Sequence, residues 1–339
     1  MGFLFNLGLG TGLEITRFPP VAVLRIRLHV LSLSSTILTD TCHIRREYSW
    51  EPSLDQSENS AVARQWIEKV RAFVPGYLDA HPALAPRQSR ASIMIHGSTT
   101  LGIVDDASDL DLWLLLPEAD VVAIDAAVGT RFFEFRLDGK KGHLNACDAR
   151  AFAERAQHCD MDCIYQLRHC EVLADSGGVA RDVIERARQP MSEAVRQAFF
   201  FHHYVEMRGE HRACDSPIDR NQPVPLLLFL GKTIGHALRA AMVLDGQPYP
   251  YDKWLHRAAG ETETGRLAAA EVDTIVSLLA QDHLRTPGPE ASHPITRALI
   301  AIRNILIEAA HAKACDGPWL NEWWLYMEAA RRAVNGVRW

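Results

Sequence analysis

With 339 residues, the chain is longer than one average domain, and two domains are the default expectation. Its composition, 47% hydrophobic and 23% charged, is typical of a folded protein and excludes a disordered chain, a collagen-like fibre and a disulfide scaffold. The net charge of −6 argues against a protein dedicated to duplex DNA or to a membrane surface, because such binding needs clustered Lys and Arg.

The first 48 residues and the cysteines bear on processing and location. Residues 1–48 begin with an apolar stretch, which is followed by several basic side chains. We expect a poorly structured extension, which a different choice of translation start site would remove. Seven cysteines, an odd number without a paired spacing, indicate reduced thiols and a cytoplasmic protein. No run of about 18 uncharged apolar residues is present, so no transmembrane helix is expected.

Residues 49–178 carry the pattern of a small mixed sheet. Apolar residues at three- and four-residue spacing from about Ser57 predict a helix. Short apolar runs predict strands over 92–96, 110–116, 132–137 and 143–147, and Asp138-Gly139 indicates a hairpin turn between the last two. We expect an α+β fold whose sheet domain spans residues 49–178.

Residues 179–339 are predicted to be entirely helical. Helical segments are expected at 180–211, 224–244, 267–284, 295–314 and near 320–334, with Pro and Gly separating several of them. This half is therefore expected to form an α-helical bundle domain that packs against the sheet domain.

Two aspartates lie at the start of the strand predicted at 110–116. Asp109 and Asp111 are two residues apart, so in a strand both carboxylates project from the same face. Neighbouring carboxylates repel unless a cation lies between them, and Mg²⁺ is commonly held by one or two carboxylates together with substrate phosphates. The leucines around them bury the strand. The pair therefore predicts a metal site at one end of a sheet.

The segment Gly97-Ser98 follows the strand predicted at 92–96, where the chain is expected to turn into a helix. Glycine allows backbone N–H groups to approach a ligand closely, and Ser98 supplies a hydroxyl. A turn of this kind can hold the β- and γ-phosphates of a nucleotide while the aspartates hold its metal.

In order and spacing, these residues resemble the signature of the polymerase-β-like nucleotidyltransferases: Gly97, Ser98, Gly102, Asp109 and Asp111, with Ser108 before the first acid. The resemblance covers about residues 90–255 and is strong at 95–112. It implies two Mg²⁺ ions and transfer of a nucleoside monophosphate from an NTP, with ATP favoured, to an acceptor hydroxyl with release of pyrophosphate. The acidic chain favours a small-molecule acceptor, as in aminoglycoside-modifying relatives, and neither a membrane nor duplex nucleic acid is expected as a partner.

The third carboxylate of that family is missing from the expected strand. His143 and Asn145 stand where Asp or Glu is expected, and Glu134 on the preceding strand is a further substitute. In the family, this acid activates the acceptor hydroxyl. His143 can serve as that base, since its unperturbed pKa is near neutral, or it can have a structural or orienting role.

Several other residues are weaker candidates. Lys232 and Lys253 can reach the triphosphate, or they are ordinary surface lysines; the second lies in a Pro-Tyr-x-Lys-Trp-like segment of the family's helical domains. Tyr251 and Trp254 are expected to pack rather than to stack on a base. The cysteines and histidines of 158–170 lack zinc spacing, so buried free thiols are expected. His202, His203 and His211 are predicted to be solvated or capping.

Two other functions compete with the small-molecule enzyme. One is a toxin–antitoxin component that adenylylates a protein. The other is a nucleotide-binding regulator with a decayed active site, which the missing third carboxylate suggests.

Overall fold

The computed structural model describes residues 56–176, 178–285 and 292–339. The part up to residue 178 contains five strands: Ser92–His96 (β1), Leu110–Leu116 (β2), Phe132–Leu137 (β3), Lys140–Asp148 (β4) and Glu171–Asp175 (β5). Its α-helices are Gln56–Ala80 (α1), Glu118–Val128 (α2), Ala149–Gln157 (α3) and Met161–His169 (α4). Asp148 and Asp160 cap α3 and α4 by accepting hydrogen bonds from the backbone of the first turn.

The described part beyond residue 178 contains helices and no strand. Its α-helices are Val179–Arg188 (α5), Glu193–Ala213 (α6), Asp215–Asp219 (α7), Pro223–Leu244 (α8), Asp252–Gly260 (α9), Glu263–Ala280 (α10), Pro294–Ala312 (α11) and Met327–Ala333 (α12). Short 3₁₀ turns occupy His283–Arg285, Pro318–Leu320 and Trp323–Leu325 in this part, and Ala85–Arg90 before β1.

The five strands form one mixed sheet in the order β3-β4-β2-β1-β5. Strands β2 and β4 are parallel, and the other neighbouring pairs are antiparallel. In this register, Asp111 lies between His96 of β1 and His143 of β4. Because β2 is central in the sheet, Asp111 has a histidine beside it on each neighbouring strand.

Each face of the sheet has its own core. The even-numbered leucines of β2, such as Leu112 and Leu114, pack with Val70 of α1 and the side chains of α2. Trp113 and Leu115 project to the opposite face and join a larger core that includes the helical half. Because side chains alternate along a strand, Asp111 shares the face of Trp113 and is directed toward the helices.

Helix α8 lies at the centre of the helical half, packed against α6, α9 and α10. Among the described residues it is the one helix long and apolar enough to cross a membrane, and half of its most apolar stretch is buried inside the fold. A helix that is apolar on most sides is also what a buried core position requires.

The α+β fold class is confirmed, and so are the limits of the first three predicted strands. The predicted hairpin is present as well: Asp138 and Gly139 have φ of 48° and 85°, the pair of positive values that a two-residue hairpin turn needs. The predicted boundary at residue 178 follows shortly after β5. The predicted extension, residues 1–48, lies outside the described residues.

Several predicted elements are wrong in extent or were missed. The single helix expected over 180–211 is two helices, because Pro190 interrupts the pattern and Ser192 caps the second one. The helix expected near 320–334 is confined to α12, after two 3₁₀ turns. Helix α9 and strand β5 were not predicted, since both are short and lack a clear period. The segment after Gly97-Ser98 is one helical turn ending near Gly102 rather than a helix.

Candidate active site

The candidate site begins with the acid pair, Asp109 and Asp111, at the start of β2. Leu110 and Leu112, which flank Asp111, are fully buried on the opposite face of the sheet. The side chains of Asp109 and Asp111 are 44% and 37% exposed. The strand is thus held rigidly from behind while both carboxylates remain accessible to a ligand.

His143 lies beside both acids. Its Nδ1 atom is 3.3 Å from Asp111 Oδ1 and 3.9 Å from Asp109 Oδ2. The ring is largely buried and packs against Phe132, and its Nε2 atom is buried without a hydrogen-bond partner among the described residues. The two carboxylates and this imidazole therefore converge on one point at the end of the sheet.

Gly97 brings the turn after β1 against the acid pair. Its φ is +77°, and a Cβ atom added to it would lie 3.0 Å from Asp111 Oδ2. Any larger residue would thus combine an unfavourable backbone conformation with a contact on a carboxylate oxygen. The structure places this turn next to Asp111, which is the arrangement that a phosphate cradle beside a metal site needs.

The loop that leads into Asp109 is fixed by local hydrogen bonds. Ser108 Oγ donates to Asp105 Oδ1 at 2.6 Å and accepts from the Asp105 backbone N–H at 3.0 Å. The Ser108 hydrogen bond holds the pKa of Asp105 below its ordinary value. Lys140 Nζ donates to the backbone carbonyls of Asp105 and Ser108. Ser108 therefore stabilises the approach to the acid pair.

A cavity of about 180 Å³ opens next to Asp111 and Gly97. We call it the aromatic cavity because three aromatic side chains contribute to its wall. Its lining comes from β1 and the following turn, β2, α4, and the start of α9: His96, Gly97, Thr100, Leu101, Asp111, Tyr165, Gln166, His169, Tyr251 and Trp254. The sheet and the helical half thus both contribute to one cleft.

Burial changes the titration of several groups in this wall. His96 stacks on Trp113 with ring centroids 3.8 Å apart, and burial lowers its pKa to about 4 against the opposing effect of the Asp111 carboxylate. Burial also raises the pKa of Tyr165 to about 12. The pKa of Tyr251 is raised, mainly by burial and further by Asp111. His96 is therefore neutral and both tyrosines keep their hydroxyl proton at pH 7.

The remaining predicted residues lie at different distances from the acid pair. Ser98 is buried in the turn after β1. Lys253 Nζ lies 4.5 Å from the ring centre of Trp254, which lines the aromatic cavity, but Lys253 itself is not among the lining residues. Lys232 is not among the residues that line this cavity, and its Nζ is 3.4 Å from Glu210 Oε1.

The two other substitutes for the third carboxylate lie further from the acids. Glu134 faces His143 across β3 and β4, so β4 separates it from β2, and its carboxylate is paired with Lys141 at 2.9 Å. Asn145 is paired with Trp113, two residues along the strand from the acid pair. Of the three side chains considered, His143 is the one that contacts the acids.

Sequence reasoning did not assign His96, Tyr165, Gln166 or His169 to the site. Tyr165 and His169 are four residues apart on α4, a spacing that gives one helix face, but an aromatic face is equally typical of a core. Cys159, Cys163 and Cys170 are buried free thiols, as expected. Among the described residues, the group of at least three His, Cys, Asp or Glu side chains close enough to share a metal ion is His202, His203 and His236.

No family model and no curated protein matches the chain. A solved structure that resembles it is the crystal structure of a nucleotidyltransferase-like protein from Exiguobacterium sibiricum 255-15. The TM-score is 0.40 and the identity 11%, and the alignment covers 74% of this chain and 78% of that one. Because this likeness is so distant, the geometry of the cleft carries the functional argument.

Proposed function

We propose that the chain is a cytoplasmic, Mg²⁺-dependent nucleotidyltransferase that moves AMP from ATP to a hydroxyl of a small-molecule acceptor. The acceptor oxygen forms a bond to the α-phosphorus and loses its proton, and the bond from that phosphorus to pyrophosphate breaks. The observation that supports this proposal is the convergence of Asp109, Asp111 and the Gly97 turn at one end of the sheet. The motif predicts these parts, and a cavity of about 180 Å³ opens beside them.

The donor atoms fit one Mg²⁺ ion. Asp109 and Asp111 offer two accessible carboxylates on one side of β2, and Mg²⁺ takes one or two carboxylates together with substrate phosphate oxygens. The imidazole of His143 is a poor ligand for this ion. The residues present therefore fit one ion better than the two that the family resemblance implies. When bound, the ion would neutralise charge on the reacting phosphates.

The contacts of His143 favour a positioning role over that of a general base. A carboxylate oxygen accepts, so the contact is a hydrogen bond when His143 Nδ1–H donates to Asp111 Oδ1. The other ring nitrogen, Nε2, is buried and cannot receive a proton from an acceptor in the cleft. We propose that His143 orients Asp111 and that the acceptor hydroxyl loses its proton without this ring.

The aromatic cavity is the place that we propose for the organic part of a substrate. Tyr251 and Trp254 offer flat apolar surfaces on the helical side, while Asp111 and the Gly97 turn offer polar ones. Lys253, held over the Trp254 ring, supplies a positive charge next to one side chain of the cavity wall. We propose Lys253 rather than Lys232 for contact with the triphosphate, because Lys232 is paired with Glu210.

A transfer assay tests the proposal. The full chain is incubated with Mg²⁺, α-labelled ATP and separate pools of aminoglycosides, other polyhydroxylated amines, proteins and tRNA, while pyrophosphate release is measured. We expect label in a small-molecule pool. The double substitution Asp109→Asn/Asp111→Asn should abolish transfer, and Glu134→Gln, an exposed acid on the same sheet, should preserve it. Labelled protein alone would instead support the adenylyltransferase alternative.

The imidazole at the third-carboxylate position specifically favours a second function, a nucleotide-binding regulator without transfer. Such a protein would bind Mg²⁺ and ATP through the same acid pair. It is supported over the enzyme if binding depends on Asp109 and Asp111 but neither pyrophosphate nor a labelled product is formed with any acceptor pool.

A further inference from the structure

Three histidines meet between helices α6 and α8, outside the candidate active site. His202 and His203 are on α6 and His236 is on α8, and one ring nitrogen of each lies within 4.8 Å of those of the other two. We call these residues the histidine cluster. His203 is buried and the other two are half-buried.

His203 is at the centre of a short chain of polar contacts. Its Nδ1 is 3.0 Å from His236 Nδ1, and its Nε2 is 2.8 Å from the hydroxyl oxygen of Tyr249. Two nitrogen ligands of a tetrahedral zinc ion, each about 2.05 Å from the metal, lie about 3.3 Å apart. The two facing Nδ1 atoms are therefore close to the separation that a shared metal requires.

His202 supplies an unused ligand atom. Its Nδ1 is buried and has no hydrogen-bond partner in the described part of the chain, while its ring interacts with the backbone of Ala330. A metal-binding histidine commonly donates its second ring N–H to a carbonyl or to another polar group, which fixes the orientation of the ring. The backbone of Ala330 is such a partner for His202, and the hydroxyl of Tyr249 is such a partner for His203.

We propose that His202, His203 and His236 form a binding site for a divalent transition metal of the zinc type, distinct from the Mg²⁺ site of the acid pair. Neutral imidazole suits Zn²⁺, Co²⁺ and Ni²⁺, whereas Mg²⁺ selects oxygen ligands. Binding needs a rotation that brings His202 closer. It also needs a change of tautomer, in which the proton between His203 and His236 moves from Nδ1 to Nε2 of its own ring, so no net proton is released.

The charges around the histidine cluster are balanced in pairs. Arg331 is 2.7 Å from Glu206, Arg239 pairs with Asp252, and Lys232 pairs with Glu210. Since each cation has its own acid, the repulsion of an incoming metal ion is reduced. Glu206 follows His202 by one helical turn, and its negative charge acts on both His202 and His236.

A metal ion in the histidine cluster would affect the packing of the helices that form the cleft. The metal would connect α6 to α8 and, through His203, would orient Tyr249. Two residues beyond Tyr249 is Tyr251, whose backbone N–H donates to Asp162 Oδ1 at 3.0 Å and whose side chain lines the aromatic cavity. A metal here would therefore stabilise the helical wall of the cleft.

Metal binding to the full chain tests this proposal directly. Zn²⁺ is titrated calorimetrically into the wild type and into Asp109→Asn/Asp111→Asn, whose acid pair cannot hold the ion, and Co²⁺ is titrated by visible absorption. We expect one Zn²⁺ ion per chain with a dissociation constant below about 1 µM. Co²⁺ should show the intense visible absorption of a tetrahedral ion. His202→Ala, which removes no hydrogen bond from Nδ1, should weaken Zn²⁺ at least about 100-fold, and Tyr249→Phe about 10-fold.

The matched control is His211→Ala, since His211 is buried on the same helix but lies outside the histidine cluster. Its Zn²⁺ affinity should equal that of the wild type. The proposal is overturned if the wild type binds no Zn²⁺ below about 100 µM, or if His211→Ala weakens binding as much as His202→Ala. Should His202→Ala fail to fold, the Co²⁺ spectrum of the wild type and the Tyr249→Phe affinity decide the question.

Discussion

The contact between Gly97 and Asp111 permits a sharp test of the candidate site. In Gly97→Ala, the new Cβ would lie 3.0 Å from Asp111 Oδ2, and the backbone would have to keep a φ of +77°. The backbone conformation alone costs roughly 1–2 kcal/mol of folding free energy for a residue other than glycine. Relief of the contact must additionally move the carboxylate by a few tenths of an ångström, away from the position that a metal ion needs.

Gly129→Ala separates these two effects. Gly129 has a similar φ, +71°, at the end of α2, but a Cβ added there meets nothing within 4 Å. Both variants should lose roughly 1–2 kcal/mol in denaturant unfolding. Misplaced catalytic groups commonly reduce rates by up to about 100-fold, so Gly97→Ala should lose at least about 10-fold in AMP transfer. Gly129→Ala should retain wild-type transfer at temperatures where it is folded. Equal activity in the two folded variants would refute the assigned contact.

Three further predictions concern single side chains. His143→Asn should retain most of the transfer rate, because an amide N–H can replace the Nδ1–H that donates to Asp111. His143→Ala should lose roughly 10-fold or more in transfer rate. Equal losses in the two variants would indicate that His143 is a general base instead. Trp254→Ala should raise the KM of one substrate about 10-fold with the acid pair intact, measured by steady-state kinetics, and an unchanged KM would remove Trp254 from the site. Burial lowers the pKa of His211 from 6.5 to about 4. Between these two pH values the unfolded chain binds more protons than the folded chain, so the free energy of unfolding should rise with pH. His211→Gln should reduce that slope by up to about 1.4 kcal/mol per pH unit in urea titrations, and an unchanged slope would contradict the assignment.

The elements predicted best were those with a strong local signal. The strands β1 and β2 are dense apolar runs with sharp ends, and the Asp138-Gly139 turn has one favoured geometry. Asp109 and Asp111 could be placed on one face because the alternation of a strand is a local property. The same reasoning could not separate α5 from α6 without giving full weight to Pro190.

The contacts that decide the chemistry depend on long-range pairing. His143 reaches the acid pair because β4 runs parallel to β2 with Asp111 opposite it, and no local pattern specifies that register. The helical wall of the aromatic cavity brings Tyr165 together with Trp254, which is 89 residues away along the chain. The histidine cluster joins α6 to α8 in the same way, so His202 and His203 alone predicted only a polar helix face.

The proposed transfer requires the acid pair to be the ligand of a metal–nucleotide complex. Its most direct test is a calorimetric titration of the folded full chain with a non-hydrolysable ATP analogue, with and without Mg²⁺. We expect Mg²⁺-dependent binding by the wild type and by Glu134→Gln, and its loss in Asp109→Asn/Asp111→Asn, whose unfolding free energy should change little because both carboxylates are partly exposed. Wild-type binding that needs no Mg²⁺, or that survives the double substitution, would contradict the central claim.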